Sequence, residues 1–257
     1  MRYQVLGETS MPKFFASDDC ILCDTVCIKG DDAHHISHSL RMKTGEKISV
    51  SDSHGVFYDC EITEINKESV TAKILSKSMC DTEPPYFAVI YQGIPKLDKM
   101  DIIVQKAVEC GAFKIVPVSE KRCIAKIDSP SAMKKVERWQ KISEAAAKQS
   151  GRGTVPHIAM PQKFEDALLD AADADIKIFC YENENGVDIK DILCKYKNFE
   201  AKPKVAIFIG PEGGFDENEV EKAAKCGFSI CTLGKRILRT ETASGFVLSC
   251  LSYELEL

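Results

Sequence analysis

Two glycine-bearing loops hold the residues of this chain whose types and spacing could do chemistry. The first is Gly210-Pro211-Glu212-Gly213-Gly214, and the second runs Leu233-Gly234-Lys235-Arg236-Ile237-Leu238-Arg239-Thr240-Glu241-Thr242-Ala243. Each follows an apolar run that reads as a buried strand, 204–209 and 228–233. Loops at the carboxyl ends of strands are where an open α/β sheet forms its ligand crevice. The first loop has neither the Gly-x-Gly-x-x-Gly of a dinucleotide site nor the Gly-Lys-Ser/Thr of a Walker loop, so it is not built to cradle phosphate. Its glycines let a ligand approach bare backbone N–H and C=O groups. That suits a neutral or cationic nucleoside read by main-chain hydrogen bonds. Taken alone, the same string equally makes a tight strand-to-helix turn. In the second loop Ile237 and Leu238 could pack a flat purine, while Thr240 or Thr242 could cap the last helix. The competing reading is an ordinary helix start beside a solvated Arg239.

The elements that must position these loops follow an alternating pattern. Strands are expected at 86–91, 113–118 and 176–181. A helix over 98–110 puts Met100, Ile103, Val104, Ala107 and Val108 on one face and ends at Gly111. A second amphipathic helix covers 131–149. Asp216 with Glu219 three residues on forms an acidic capping box for a helix ending near Gly227, and a last helix starts at about Thr242. Alternation of this kind implies a mostly parallel sheet with helices on both faces. The front of the chain differs. Short β-like runs at 47–50, 56–62 and 69–75, with turn chemistry at Asp52-Ser53-His54-Gly55 and Asn66-Lys67, suggest a small β-barrel or half-barrel with one helical stretch over 31–42. The expected organisation is an extension over 1–10, a β domain over 11–77, a linker over 78–85 ending in Glu83-Pro84-Pro85, and an α/β domain over 86–257.

The bulk numbers exclude several classes. The longest apolar runs, such as 87–91 and 205–209, are too short to cross a bilayer. No secretory signal is read at the start, so a cytoplasmic location is expected. Twelve cysteines in 257 residues read as reduced thiols serving as small hydrophobes, with Cys60, Cys180 and Cys231 inside apolar runs. Cys20, Cys23 and Cys27 lack the second Cys/His pair that a zinc site needs, and no metal is expected. A formal charge of −5 weighs against nucleic acid as a partner. Basic residues nevertheless cluster at 121–126, 134–141 and 235–239, each of which also reads as a solvated face.

The two loop motifs together resemble those of the RsmE family, SPOUT-class methyltransferases that act on N3 of a uridine in 16S ribosomal RNA, conventionally uracil 1498. The similarity extends to Met100-Asp101-Ile102-Ile103-Val104-Gln105-Lys106-Ala107-Val108-Glu109-Cys110-Gly111, to Ser119-Glu120-Lys121-Arg122-Cys123, and to the stretch from Glu137-Arg138-Trp139 through Lys148-Gln149-Ser150-Gly151-Arg152. At the front, Met11–Phe15 and His34-His35-Ile36 with Leu40-Arg41 are similar to the family's PUA-like RNA-binding domain. The resemblance implies a SPOUT-type trefoil-knotted parallel sheet preceded by a PUA-like β-barrel. It also implies a homodimer with cofactor sites near the subunit interface, S-adenosylmethionine as cofactor, and the small ribosomal subunit as partner. By the same analogy Gly210, Pro211, Glu212, Gly213, Gly214, Leu233, Gly234, Ile237, Leu238, Arg239 and Thr240 hold the cofactor. On that reading, valine at Gly213 should abolish cofactor binding.

Uracil N3 must lose a proton before or during methylation, so a general base or a cation facing the O2/O4 anion would help. Arg239 is the candidate cation, because it stays charged. Glu212 is either the base or, preferred here, a brace for its loop. RNA contacts are expected from Arg41, Lys121, Arg122 and Arg152, while His34, His35 and His38 read as structural or RNA-facing. Two departures from the family pattern stand out. Gly245 costs an internal helix position about 1 kcal/mol relative to Ala, and His157 stands where an acidic residue is common. Competing readings are another SPOUT enzyme acting on ribose 2′-OH or transfer RNA, and a non-catalytic ribosomal RNA-binding assembly factor.

Overall fold

A computed structural model of the chain describes residues 11–52, 54–123, 129–183, 187–196 and 201–257. The expected extension over 1–10, Ser53 of the first turn and Lys126 of the basic cluster lie outside the described residues. The chain packs as two units. One runs up to Glu83 and takes in Lys148–Thr154; the other comprises Pro84–Ala147 and Val155–Leu257.

In the first unit, period-two alternation builds a sheet with one buried face. Its elements are β1 (Lys13–Phe15), β2 (Thr25–Lys29), α1 (Gly30–His34), β3 (Lys47–Ser51), β4 (Val56–Ile65) and β5 (Ser69–Met79). The strand order is β1-β3-β4-β5-β2, with β1 parallel to β3 and the other pairs antiparallel. Ile48 and Val50 of β3, Cys60 and Ile62 of β4, and Val70 and Ala72 of β5 all point inward, onto Phe14, Val26, Ile28 and Ile36. Burying each of the larger aliphatic side chains contributes about 1.5–3 kcal/mol. The helical stretch expected over 31–42 is shorter and less regular. α1 passes into a π-helical turn at His35–Ser39, and Arg41 then takes a left-handed φ of 53° that no regular helix accepts. The sequence placed the linker at 78–85, and β5 extends into it through Met79.

The second unit holds β6 (Phe87–Gly93), α2 (Lys99–Glu109), β7 (Ala112–Ser119), α3 (Ser129–Ser150, its last turn counted with the first unit), β8 (His157–Ile158), β9 (Gln162–Lys163), α4 (Phe164–Asp170), β10 (Ile176–Cys180), α5 (Ile189–Leu193), β11 (Lys204–Ile209), α6 (Glu217–Lys225), β12 (Ser229–Cys231) and α7 (Thr240–Leu255). The strands pair in parallel in the order β12-β10-β11-β6-β7-β8, with β9 also on β7. Their near-continuous apolar sequences are those of strands covered on both faces. α2 buries the five residues expected of it, Met100, Ile103, Val104, Ala107 and Val108. Asp216 and Glu219 form the expected capping box of α6. On one side of the sheet the core is aromatic. Phe179 lies 4.0 Å from Phe215 and Phe208 lies 5.1 Å from Phe228, ring centre to ring centre, and Tyr91 stacks on Phe208 at 4.6 Å.

The chain enters this sheet at β6, builds outward through β7, β8 and β9, and later lays β10, β11 and β12 on the other side of β6. This reversal opens a crevice at the carboxyl ends of the strands. All twelve cysteines are free thiols, and the three buried ones are Cys60, Cys180 and Cys231, those inside apolar runs. Burial pushes the Cys60 thiol up to about 11, which keeps it protonated and unreactive.

Candidate active site

A cavity of about 460 Å³ lies at the carboxyl ends of β10, β11 and β12. β11 delivers Ile209 and, directly after it, Gly210, Pro211 and Glu212; Gly214 closes that side. The second loop supplies Leu233, Gly234, Ile237, Leu238 and Arg239, and the first turn of α7 adds Thr240. Ten of the eleven residues expected to hold a cofactor therefore share one cavity. Gly213 does not line it. A side chain there would press on the Cβ of Arg122, 3.2 Å away, so the residue matters to the neighbouring segment and not to the cavity wall.

Two glycines are required by geometry. Gly214 has φ +65°, and a Cβ on it would collide with the Glu182 carboxylate. Gly234 has φ +105°, where other residues are strained even with open space around them.

A chain of hydrogen bonds joins the two loops beneath the cavity. Gln92, fully buried at the end of β6, donates its side-chain amide to Thr240 Oγ1 at 2.8 Å and to the Gly93 carbonyl at 3.0 Å. Thr240 in turn donates its hydroxyl to the Gly210 carbonyl at 2.7 Å. Thr240 is thus not the cap of the last helix. Arg239 occupies the N-cap position, its side chain makes no capping bond, and Thr240 is spent on the opposite loop.

Charge at the rim is organised by Lys99 of α2. Its Nζ lies 3.0 Å from Glu212 Oε1 and 3.4 Å from Glu241 Oε2, while the Lys96 N–H donates to both Glu212 oxygens at 3.2 Å. Burial alone would raise the Glu212 carboxyl, but the Lys99 and backbone hydrogen bonds outweigh it and hold the group below the usual carboxylate range. A carboxylate held ionised this way is a weak proton acceptor, which favours the bracing role. Arg239 differs: its side chain is 82% exposed, with Nη1 4.0 Å from Glu241 Oε1, so its guanidinium is available to a ligand.

The four expected RNA contacts part company. Arg41 is exposed, just past the π-helical turn of the first unit. Lys121 and Arg122 are exposed beside the first loop, Lys121 Nζ 2.9 Å from Asp216 Oδ2 and Arg122 Nη1 donating to the Gly213 carbonyl at 3.2 Å. Arg152 is the correction. It is 3% exposed and bonded through Nη2 to Glu83 at 2.6 Å, so it is a buried structural cation and not a surface for RNA.

Sequence reasoning also missed Lys99, Glu182 and Gln92. A lysine in the first turn of a helix and a lone Gln at a strand end have no distinguishing pattern. Glu120 belongs to the Ser119–Cys123 stretch that carries the resemblance, but its residue type gives no sign of burial. It is buried just past β7, neither carboxylate oxygen is hydrogen-bonded among the described residues, and burial, with Glu219 close by, pushes its carboxyl well above the usual range.

Comparison with known proteins fits this geometry. Residues 82–252 match the RNA methyltransferase domain family, and residues 28–75 match the RNA methyltransferase PUA domain family. The chain is 35% identical over 234 residues to ribosomal RNA small subunit methyltransferase E of Bacillus subtilis, covering 91% of each chain. It is similar to the crystal structure of the ribosomal RNA small subunit methyltransferase E from Neisseria gonorrhoeae bound to S-adenosyl methionine, with 32% identity, a TM-score of 0.85, and coverage of 95% of this chain and 98% of that one. A putative methyltransferase from Legionella pneumophila, solved in complex with the same cofactor, gives 27% identity and a TM-score of 0.83 over 95% of this chain and 97% of that one. The chain belongs to the ribosomal RNA small subunit methyltransferase E family.

Proposed function

We propose that this protein methylates N3 of one uridine in the RNA of the small ribosomal subunit, using S-adenosylmethionine, and that it works in the cytoplasm as a homodimer with a trefoil-knotted sheet. The observation that carries the reading is the single cavity formed by the two motif loops, in a fold similar to that of a relative crystallised with this cofactor.

The residues present suit the cofactor. Ile237 and Leu238 offer an apolar wall to an adenine ring, and Gly210 and Gly234, which carry no Cβ, let the ring come close to the two loops. Glu212 and Glu182 put carboxylates on a cavity whose ligand would carry a cationic sulfonium. When bound, S-adenosylmethionine supplies an electrophilic methyl group.

The remaining work falls to this chain. Thr240 and Gln92 fix the Gly210 carbonyl, and with it the first loop, before any ligand arrives. Glu212, held by Lys99 and the Lys96 N–H, keeps that loop from folding into the cavity. Arg239 faces the negative charge that spreads over O2 and O4 as uracil N3 gives up its proton. Exposed cations, Arg41 of the first unit and Lys121 and Arg122 of the second, take RNA phosphates.

The deciding test incubates the purified protein with S-adenosylmethionine and small ribosomal subunits lacking the modification. The RNA is then digested and its nucleosides resolved by mass spectrometry. N3-methyluridine is the expected product. A 2′-O-methyl nucleoside would overturn the assignment of the acceptor atom, and cofactor binding without product would point to a binding role. Sedimentation of the protein alone tests the dimer.

A further inference from the structure

Leu97 stands in the turn between β6 and α2 with φ +56°, one of two non-glycine residues in the left-handed region among those described. The residue is 92% exposed. Both features work against the fold. The left-handed conformation brings Cβ against the following carbonyl, and exposure leaves an isobutyl group in water. Contact with the cofactor does not account for it, because Leu97 lies outside the cavity lining. The turn that carries it is nonetheless firmly held. Lys96, one residue before, donates its N–H to Glu212, and Lys99, two residues after, binds the same carboxylate at 3.0 Å. An exposed aliphatic side chain is thus carried on a turn anchored to Glu212 of the cavity.

The surroundings say what it meets. Lys235, Arg236 and Arg239 are exposed in the cavity lining, Lys96 is exposed on the turn itself, and the neighbouring acid Asp98 is matched by Arg138 at 3.6 Å. Cations that take phosphates, with an aliphatic projection among them, are the parts by which proteins unstack bases. Uracil N3 lies on the pairing edge of its base. In folded RNA that edge is covered, so the base must leave the stack to be modified.

We propose that Leu97 is the wedge that enters the RNA stack where the target uridine leaves it. This rests on the uridine-methylation reading, and the test separates the two. Leu97→Gly removes the wedge and relieves the backbone; Leu97→Asn, also tolerant of left-handed φ, is the second variant. Each is compared with the unaltered protein on two RNAs, a folded fragment of small-subunit RNA and the same fragment with an abasic site beside the target uridine. The expected result is a melting temperature no lower than that of the unaltered protein, cofactor affinity within about twofold, and kcat/KM on the folded RNA reduced at least about tenfold. On the abasic RNA the loss should shrink to about threefold or less, because the stack is already broken. A 2-aminopurine next to the target should brighten on binding the unaltered protein and stay dark with either variant, a readout that does not depend on methylation. Full activity of both variants on folded RNA, or equal losses on both RNAs, would overturn the wedge. Loss of activity together with dissociation in sedimentation would assign Leu97 to contact between copies of the chain instead. If the unaltered protein makes no N3-methyluridine, the functional reading fails; if it does and the variants match it, only the wedge fails.

Discussion

Among single residues, the sharpest contrast at the site is between Gly234 and Gly213, adjacent to similar chemistry in the sequence and unlike in space. Gly234 lines the cavity at φ +105°. Alanine there should cost about 1–2 kcal/mol of backbone strain and weaken S-adenosylmethionine by about tenfold, since relaxing that strain moves the loop; calorimetric titration beside a melting curve measures both. Gly213→Val should instead leave cofactor affinity nearly unchanged and weaken RNA binding, because the added methyls displace Arg122. Arg239 gives a third outcome. Removing a cation that stabilises developing negative charge typically costs about 10²–10³ in kcat. With its side chain 82% exposed and only Glu241, 4.0 Å away, as an ionic partner among the described residues, Arg239→Ala should show that loss while cofactor affinity stays within about twofold. Equal losses in both quantities would make Arg239 a cofactor clamp.

At the scale of elements, three segments far apart in sequence meet at the Thr240 hydroxyl: the end of β6 through Gln92, the loop after β11 through Gly210, and the start of α7. Because Gln92 donates to that hydroxyl, the hydroxyl's own hydrogen is directed at Gly210, and the two bonds reinforce each other. Gln92→Met and Thr240→Val should each weaken cofactor binding. Combined, they should cost less than their sum, with a coupling of about 1 kcal/mol in a double-mutant cycle; strict additivity would show that the bonds act separately. This junction also marks how far sequence reading reached. The strands around the site and the buried face of α2 were legible because apolar runs and 3.6-residue periodicity report burial directly. The start of α7 was read two residues late, since threonine before a helix is by type a capping residue, and only the folded structure turns its hydroxyl to another loop. The π-helical turn at His35–Ser39 was hidden for a related reason. Periodicity over 31–42 is helical on average, and the extra residue in the turn shows only as the left-handed Arg41 that follows.

Across the whole molecule, a net charge of −5 sits with an RNA substrate only because the cations are sorted by place, and composition cannot report that sorting. Arg41, Lys121 and Arg122 are exposed, whereas Arg152, by type equally fit for phosphate, is held by Glu83, 69 residues upstream. Glu83 accepts from Arg152, from the Gly153 N–H at 3.0 Å and from the Thr154 N–H and hydroxyl at 3.2 and 2.9 Å, a cluster that fastens Lys148–Thr154 into the first unit. Substitution should therefore split the arginines into two classes. Arg41→Ala and Arg122→Ala should each lower the slope of log affinity for RNA against log salt by about one unit while leaving the melting temperature unchanged. Arg152→Ala should leave the slope alone and destabilise the protein by about 3 kcal/mol, because it removes the cation paired with the half-buried Glu83 carboxylate. Acid offers an independent check on the second class. Burial by itself would raise the Glu83 carboxyl, but the Arg152 and Thr154 hydrogen bonds hold it below its ordinary value. The folded state then binds that proton less readily than the unfolded chain does. The cluster's contribution is complete above the ordinary glutamate range and is lost as pH falls through the lowered folded value. Denaturant titrations of the unaltered protein and Arg152→Ala should differ most at neutral pH and converge in acid. A difference that persists unchanged at low pH would mean that Arg152 stabilises the fold by packing and not by charge.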